Sequence, residues 1–481
     1  MGYLADISFF GDVAAEQDAT ILDYFVRTPA VDAVESARKH LVLGRKGSGK
    51  TALVRYFTLA QPQCISSALN LRNYPWNTHK ERVNLGASEI ESYVSSWRYL
   101  IAVKANALLL EHAKFKMIRD SQKAAYNFLT DNYGGARPDL GEILRPKAIK
   151  LSKSSFKPSF MGASLGQVDF ESEKGGLSSN VDLLTDALLL NATVMMGQSG
   201  IKRLFLHFDE LDQGLSTLDE KHERMLIGLV LAARSIFSDE KTLGKICPIA
   251  YLRTDLWEAM KFSDKNKITQ SSAVQLEWNT NTLRELIDRR IEAKVGSGIG
   301  WDQIEDGLPI RGSQSKWGHI IARTFLRPRD VIQFLNFIAE LALRTEPDAD
   351  IIENTDIVAA REPYSKYLKQ ELDDEINPHW DKWAEALQAI SEITTLTFSR
   401  DEFEESWGKR KASKTVPADQ ALETLYQYSV VGYRRGIGKG GSGWTFQYTD
   451  PDAGWDNAAS RLKAHPGLKE FAKLRETRGD S

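Results

Sequence analysis

The stretch LVLGRKGSGKTALV, residues 41 to 54, fits the pattern G-x-x-x-x-G-K-[ST], with Gly44, Gly49, Lys50 and Thr51 at the required positions. Together with Gly47, these glycines permit backbone torsions that turn successive N–H groups inward around a phosphate. Lys50 can place its ammonium group on the terminal phosphates, and the Thr51 hydroxyl can take one coordination site of Mg²⁺. The stretch therefore predicts a loop that binds nucleotide phosphates.

The residues on either side of this loop match a strand and a helix. HLVLG (40–44) is typical of a short buried strand, and KTALVRYFTLA (50–60) carries apolar residues at helical spacing. The alternative is a glycine turn followed by a chance Lys-Thr pair, which would need neither flank. We therefore expect the phosphates to be bound by Gly44, Gly47, Ser48, Gly49, Lys50 and Thr51.

A second strand should supply carboxylates to the same site. KRLFLHFDELDQG (202–214) contains a nearly continuous apolar run that ends in Asp209 and Glu210, as in a strand covered on both faces. Open α/β sheets bind ligands at the carboxyl ends of their strands. We expect Asp209 to hold Mg²⁺ with Thr51, and Glu210 to orient the attacking water or accept its proton. Asp212 is a supporting carboxylate, and the alternative is an acidic solvated turn.

A third apolar run, KICPIAYLRTDLW (245–257), ends in Arg253, Thr254 and Asp255. A polar group at this strand end could contact the γ-phosphate; we choose Arg253, with the other two as alternatives. A strand end closed by an ion pair explains the same residues. His207, flanked by apolar residues, is expected to be a core histidine.

The order of these segments predicts three domains. Residues 1–280 form the nucleotide-binding core, with an insertion at about 75–195 that contains a helix (88–113), then a β-hairpin and flexible loop (150–180). Residues 281–350 form a helical lid. Pro328 interrupts its pattern and should start a helix. Arg329 is then the better candidate for an arginine that closes over the γ-phosphate, and Arg327 is the second. The alternative is a helix start at the surface with a solvated arginine.

The C-terminal part, residues 355–481, predicts three helices followed by two strands with a glycine-rich turn, which is the order of a winged helix. A basic side suggests either contact with duplex DNA or docking of a protein. Its members are Lys409, Arg410, Lys411 and Lys414 before the third helix, and Arg434, Arg435 and Lys439 on the wing.

Composition narrows the class of protein. The chain has 481 residues, 62 Lys plus Arg against 65 Asp plus Glu and a formal charge of -3, which argues against a broadly polybasic nucleic-acid binder. The two cysteines are expected to be buried thiols. Neither a secretory signal nor a membrane-spanning stretch is recognisable, so we expect a cytoplasmic protein without membrane contact.

With these segments placed, the sequence resembles the STAND and origin-recognition-like (AAA+-related) branch of P-loop ATPases with a C-terminal winged helix. It is more closely similar to a bacterial P-loop ATPase family met in antiviral-defence gene neighbourhoods. The matching stretches are FFGDVAAEQDATILDYFVRT, GRKGSGKT, LHFDELD, YLRTDLW, FSDKNK, LEWNTNTLRELIDRRI, RPRDVIQFLN and HPGLK.

This resemblance implies an α/β fold with a parallel P-loop sheet of the ASCE type. It implies ATP and Mg²⁺ binding by Lys50, Thr51 and Asp209, catalysis by Glu210, and sensor roles for Arg253 and Arg329. Arg289 or Arg290 could reach a neighbouring subunit of a homo-oligomer as an arginine finger.

Three functions follow from the resemblance and the residues. The first is an ATP-hydrolysing switch that senses a trigger and regulates a partner; because no nuclease, TIR or protease motif is recognisable, that effector would be encoded separately. The second is an ATPase that loads on or remodels duplex DNA. The third is a nucleotide-stabilised scaffold. A small-molecule kinase is a weaker alternative, because Glu210 suits activation of water.

Overall fold

The computed structural model describes residues 2–59, 63–70, 89–116, 118–144, 177–211, 220–242, 244–437 and 441–477. The chain forms two compact units. The sheet unit is Arg27–Glu277, and the helical unit joins Met1–Val26 to Trp278–Ser481. The sequence analysis placed the first 26 residues with the core, whereas here they belong to the helical unit.

The sheet unit contains a five-stranded parallel sheet in the order β2-β3-β4-β1-β5. A strand inserted between the loop-bearing β1 and the acidic β3 is the mark of the ASCE class, so the predicted fold class is confirmed. All three strands expected from the apolar runs are present, together with β2 from CISSALN. The strands are β1 (Leu41–Leu43), β2 (Cys64–Asn70), β3 (Arg203–Asp209), β4 (Ile246–Leu252) and β5 (Ala273–Gln275).

Helices cover both faces of this sheet, which is why its central strands β1, β3 and β4 are almost entirely apolar. Leu204, Leu206 and Phe208 of β3 belong to one hydrophobic cluster with residues of three helices, Glu89–His112, Leu177–Ser199 and Glu220–Phe237. Phe205 and His207 face the other side, against Phe57 of the helix after the loop. The helices, including one at the N-terminus of the chain, are α1 (Tyr3–Ile7), α2 (Pro29–Glu35), α3 (Lys50–Phe57), α4 (Glu89–His112), α5 (Asp120–Tyr133), α6 (Leu140–Leu144), α7 (Leu177–Ser199), α8 (Glu220–Phe237), α9 (Thr254–Ala259) and α10 (Lys265–Ser272).

The predicted insertion is helical wherever the structure describes it. The expected helix at 88–113 is α4, and α7 packs along it. The predicted β-hairpin and flexible loop (150–180) fall on residues outside the described ones, apart from the last four residues of the loop. These four, 177–180, were predicted as loop and instead form the first turn of α7. Ser and Asn favour helix starts as much as loops, which explains the error.

The helical unit has one hydrophobic core that extends from Leu4 to Leu474. Leu4 and Ile7 of α1, and Phe10 shortly after it, pack in this core with Ile287 of the first helix after the sheet unit. Since the core runs through both the predicted lid and the predicted winged helix, the boundary between them at 350–355 stays a prediction. The helices are α11 (Thr280–Val295), α12 (Lys316–Ile321), α13 (Pro328–Thr345), α14 (Asn354–Ile376), α15 (Trp383–Ile393), α16 (Arg400–Gly408) and α17 (Ala418–Gln427).

The C-terminal module, α15 to β9, contains the predicted three helices followed by a β-hairpin. Its antiparallel sheet has the order β6-β9-β7-β8, so two strands that the sequence analysis did not predict complete the hairpin. They are short, at three and four residues, and neither has a turn signal of its own. The strands are β6 (Thr397–Ser399), β7 (Val431–Ile437), β8 (Gly441–Thr445) and β9 (Arg461–Ala464).

Candidate nucleotide-binding site

The glycine-rich loop connects β1 to α3 in a conformation that only glycine adopts without strain. Gly47 has φ of +77° and Gly49 has φ of +96°, both in the left-handed region. Gly49 is also the residue from which α3 begins, at Lys50. The loop therefore leads directly into a helix N-terminus, where backbone N–H groups favour an anion.

Gly44 is required for a different reason. A Cβ atom at this position would lie 2.5 Å from the Ser48 hydroxyl oxygen, so the two ends of the loop close against each other. The Gly44 N–H donates to the Leu252 carbonyl at the end of β4 (3.1 Å), which attaches the loop to the neighbouring strand. Ser48 is buried within this closed turn.

The Lys50 ammonium group folds back over its own loop. It donates to the carbonyl oxygens of Gly44 (2.9 Å) and Arg45 (3.1 Å). A cation held at the mouth of a loop whose glycines turn its backbone inward is the arrangement that cradles phosphates. The loop and Lys50 therefore fit the phosphates of a nucleoside triphosphate.

The acidic pair lies at the end of β3. Asp209 is the last residue of the strand, and both Asp209 and Glu210 are buried, at 6% and 8% exposure. Glu210 has φ of +57°, a left-handed conformation that costs a residue other than glycine on the order of 1 kcal/mol. Such strain clusters at functional positions, and here it turns the chain sharply just after the strand.

Strand register brings the loop and the acidic pair to one edge of the sheet. Phe208 of β3 is paired with Ala250 of β4, and Ala250 is paired with Leu41 of β1. Since neighbouring strands lie about 4.8 Å apart, β1 and β3 are separated by about 10 Å. Asp209 follows Phe208 directly and the loop begins three residues after Leu41, so both elements leave the sheet at its carboxyl edge.

The oxygen donors at this edge suit Mg²⁺. Among the described residues, no three His, Cys, Asp or Glu side chains cluster in a way that could hold a metal ion. Mg²⁺ commonly takes only one or two protein ligands and completes its shell with water and phosphate oxygens. The Thr51 hydroxyl and the Asp209 carboxylate are donors of that kind, so the expected ligand pair fits the ion.

Arg253, the first predicted sensor, follows β4 beside the loop, since the preceding residue Leu252 accepts the Gly44 N–H. Its guanidinium makes a bidentate pair with Asp255, including Nε to Oδ1 at 3.0 Å. Arg253 thus adjoins the loop through the backbone, and its alternative Asp255 is its ion-pair partner. A role at the γ-phosphate stays a prediction.

Arg329 and Arg327 lie at the start of α13 in the helical unit, as the proline rule predicted. Arg329 donates to Glu371 (3.3 Å) and is partly exposed, so its sensor role stays a prediction. Arg327 is a different case, because it is fully buried and pairs with Asp330 (2.9 and 3.0 Å) and Glu375 (2.6 Å). These ion pairs make Arg327 a structural residue. The prediction of Arg327 as the second sensor candidate is therefore wrong.

The two candidates for an arginine finger, Arg289 and Arg290, differ in their exposure. Arg290 is buried, donates to the Phe10 carbonyl (2.6 Å), pairs with Asp18 and lies 4.1 Å from the Tyr24 ring centroid. It holds the N-terminal segment and cannot reach another subunit. Arg289 is exposed and pairs with Glu285 (2.6 Å), so it alone keeps the prediction.

His207 is a core histidine, as predicted. It is fully buried, and burial lowers its pKa from 6.5 to about 3, so the ring is neutral. Its Nδ1 shares a hydrogen bond with the Tyr251 hydroxyl (2.8 Å), and its Nε2 shares one with Ser66 (2.9 Å). Neither partner was singled out from the sequence, because Ser66 and Tyr251 carry no motif.

The basic side predicted for the C-terminal module is only partly available. Lys409 and Arg410 both pair with Glu392, the former at 2.8 Å. Arg434 and Arg435 are exposed on β7, and Arg435 contacts Asp450 at 3.4 Å. Lys411 and Lys414 are exposed, whereas Lys439 and the supporting carboxylate Asp212 lie outside the described residues.

Comparison with known proteins gives one family match and matches to solved structures. Residues 281–373 match the family described as FunZ-associated C-terminal helical domain, which covers α11 to most of α14. The crystal structure of Cdc6p from Pyrobaculum aerophilum aligns over 94% of both chains, with 12% sequence identity and a TM-score of 0.32. None of the curated proteins matches the sequence. Within the described residues, every helix is too short or too polar to span a lipid bilayer.

Proposed function

We propose that this protein binds and hydrolyses ATP, and that it acts as a molecular switch that regulates a separately encoded effector. The observation that supports this most is the closed glycine loop, with the Lys50 ammonium over it, at the same sheet edge as the buried pair Asp209 and Glu210.

Each residue has a defined task in this proposal. Loop N–H groups and Lys50 hold the phosphates, and Thr51 and Asp209 hold Mg²⁺, which neutralises charge on the phosphate oxygens when it is bound. Glu210 orients the attacking water and accepts its proton. Arg253 and Arg329 are the proposed sensors.

The charge of the C-terminal module favours a protein partner over duplex DNA. In a winged helix that reads DNA, the third helix enters the major groove, where phosphates demand cations. Here that helix, α17, exposes Asp419 and Glu423 and no basic residue. The second candidate, a DNA-remodelling ATPase, is supported by the exposed Arg434 and Arg435 on β7 and by the exposed Lys411 and Lys414 before α17.

The test is ATP turnover of the purified chain, alone and with duplex DNA, for the native protein and Glu210→Gln. We expect slow turnover that duplex DNA changes less than about twofold, and a Glu210→Gln variant that retains bound ATP while losing at least about 100-fold in rate. Glu423→Gln, the same chemical change on exposed α17, is the matched control. Strong stimulation by DNA would favour the remodelling ATPase.

Two further outcomes decide the remaining alternatives. The native protein and the Glu210→Gln variant could both bind nucleotide equally well without hydrolysing it. This result would refute the ATP-hydrolysing switch and favour the nucleotide-stabilised scaffold. The proposed role in antiviral defence, with its effector, is tested by phage plating on cells that express this chain with its neighbouring genes. Lys50→Ala should remove any protection.

A further inference from the structure

A chain of hydrogen-bonded polar side chains crosses three strands of the sheet beneath the candidate site. Ser66 on β2, His207 on β3 and Tyr251 on β4 are joined by the two hydrogen bonds of the His207 ring, at 2.9 and 2.8 Å. His207 and Tyr251 are buried and Ser66 is half-buried. A neutral imidazole has one donor and one acceptor, so both ring nitrogens are satisfied.

This chain lies between the two elements that carry the expected Mg²⁺ ligands. His207 precedes Asp209 by two residues, so both side chains project from the same face of β3. The Phe57 ring stacks on the His207 ring, with centroids 5.4 Å apart and planes at 19°. Phe57 belongs to α3, whose first turn contains Thr51. His207 therefore contacts the helix of one ligand and the strand of the other.

Tyr251 adds a contact on the third strand. The pairing of Phe208 with Ala250 sets Tyr251 beside Asp209, one row further along the sheet, and on the same face. The negative charge of Asp209 contributes, after burial, to raising the pKa of the Tyr251 hydroxyl well above its usual value, which agrees with their proximity. The hydroxyl then extends back to His207 rather than forward to solvent.

Three apolar side chains could fill this layer without that cost in stability, since a buried polar group destabilises the fold unless its hydrogen-bond partners are present. What hydrogen bonds add is a fixed ring orientation. We propose that His207, oriented by Ser66 and Tyr251, is a positioning residue that sets the spacing between Thr51 and Asp209 for the Mg²⁺–nucleotide complex. This inference rests on the proposed nucleotide site.

The experiment measures metal and nucleotide binding separately. Mn²⁺ replaces Mg²⁺ and is titrated by electron paramagnetic resonance in the presence of ADP, while binding of a fluorescent ADP analogue is measured with EDTA. The variants are Tyr251→Phe and the triple Ser66→Ala, His207→Phe, Tyr251→Phe. Tyr24→Phe is the matched control, because it removes a buried tyrosine hydroxyl that donates to Asp18 in the helical unit.

We expect both sheet variants to bind Mn²⁺ about tenfold more weakly, the loss typical of removing a residue that orients metal ligands, with metal-free nucleotide binding within about twofold. The triple variant separates positioning from stability, because replacing all hydrogen-bond partners by apolar groups is nearly neutral for folding. A triple variant that binds Mn²⁺ like the native protein would overturn the inference. Native protein that binds no nucleotide would instead refute the proposed function, and Tyr24→Phe should match the native protein throughout.

Discussion

The two compact units place their buried carboxylates in different surroundings. In the helical unit, buried charges neutralise one another within the fold, as in Arg327 with Asp330 and Glu375, or Lys316 with Asp306. In the sheet unit, the buried carboxylates of Asp209 and Glu210 lie at the end of β3, at the same sheet edge as the glycine-rich loop. The first arrangement stabilises a structure, and the second suits a ligand.

This difference explains why sequence reasoning predicted the strand and the helix on either side of the loop correctly and failed with Arg327 and Arg290. A phosphate loop needs glycines, Lys and Thr at fixed spacing, so the pattern itself carries the chemistry. An arginine at a helix start has no such pattern. Whether it contacts a nucleotide or a buried carboxylate depends on the partners that the fold brings to it.

The largest expected effect tests the helical unit. Arg327→Met should lower the free energy of unfolding by about 3–5 kcal/mol, because it leaves Asp330 and Glu375 buried without their cation. Denaturant unfolding measures this. Arg344→Met, which removes only an exposed pair with Glu340, should change stability by less than about 0.5 kcal/mol. Equal effects of the two variants would contradict the structural role of Arg327.

The next effect tests the sheet unit. Lys50→Ala should lower ATP turnover at least about 100-fold, or about 2.7 kcal/mol, with little change in the unfolding midpoint. Steady-state phosphate release and thermal unfolding of the same sample give both numbers. If Lys50→Ala instead lowered the unfolding temperature and left ATP turnover unchanged, Lys50 would be a structural residue, like Arg327 in the helical unit.

Arg329 decides whether the helical unit contributes to catalysis. If it is a sensor, Arg329→Ala should reduce turnover about tenfold while lowering stability by less than about 1 kcal/mol, since its pair with Glu371 is partly exposed. The same two assays apply. Unchanged turnover would confine the chemistry to the sheet unit.

The smallest effect, at about 1 kcal/mol per pH unit, is a dependence of stability on pH. His319 accepts N–H groups from Arg323 (2.9 Å) and Arg361 (3.0 Å) and interacts electrostatically with Glu476 and Lys469. Burial, followed by the two arginine charges, lowers its pKa from 6.5 to about 3. The unfolded chain thus binds a proton below pH 6.5 that the folded chain excludes.

Stability from this group is complete above pH 6.5 and is lost as the pH falls towards 3, by at most about 1.4 kcal/mol per pH unit. His319→Gln, which can still accept from both arginines but does not titrate, should flatten the slope of stability against pH by about 1 kcal/mol per unit between pH 6 and 4. Urea unfolding at several pH values would show it. Parallel slopes would mean that His319 is protonated in the folded state.

Most of the sheet was predictable from local pattern. Continuous apolar runs identified β1, β3 and β4, because strands buried on both faces need apolar residues at every position. The helix start at Pro328 followed from proline geometry. Short strands such as β6 and β9 were missed, because three or four residues carry too little pattern to distinguish a strand from a loop.

By itself, the sequence determined that a glycine-rich loop joins a strand to a helix, and which residues end β3 and β4, since both depend on side chains and torsions close together in the chain. Only the tertiary structure decided that the first 26 residues join the helical unit, that Arg327 and Arg290 are buried in ion pairs, and that His207 meets Ser66 and Tyr251. These are contacts between residues far apart in sequence. Burial and partner choice arise from packing, which no local pattern encodes.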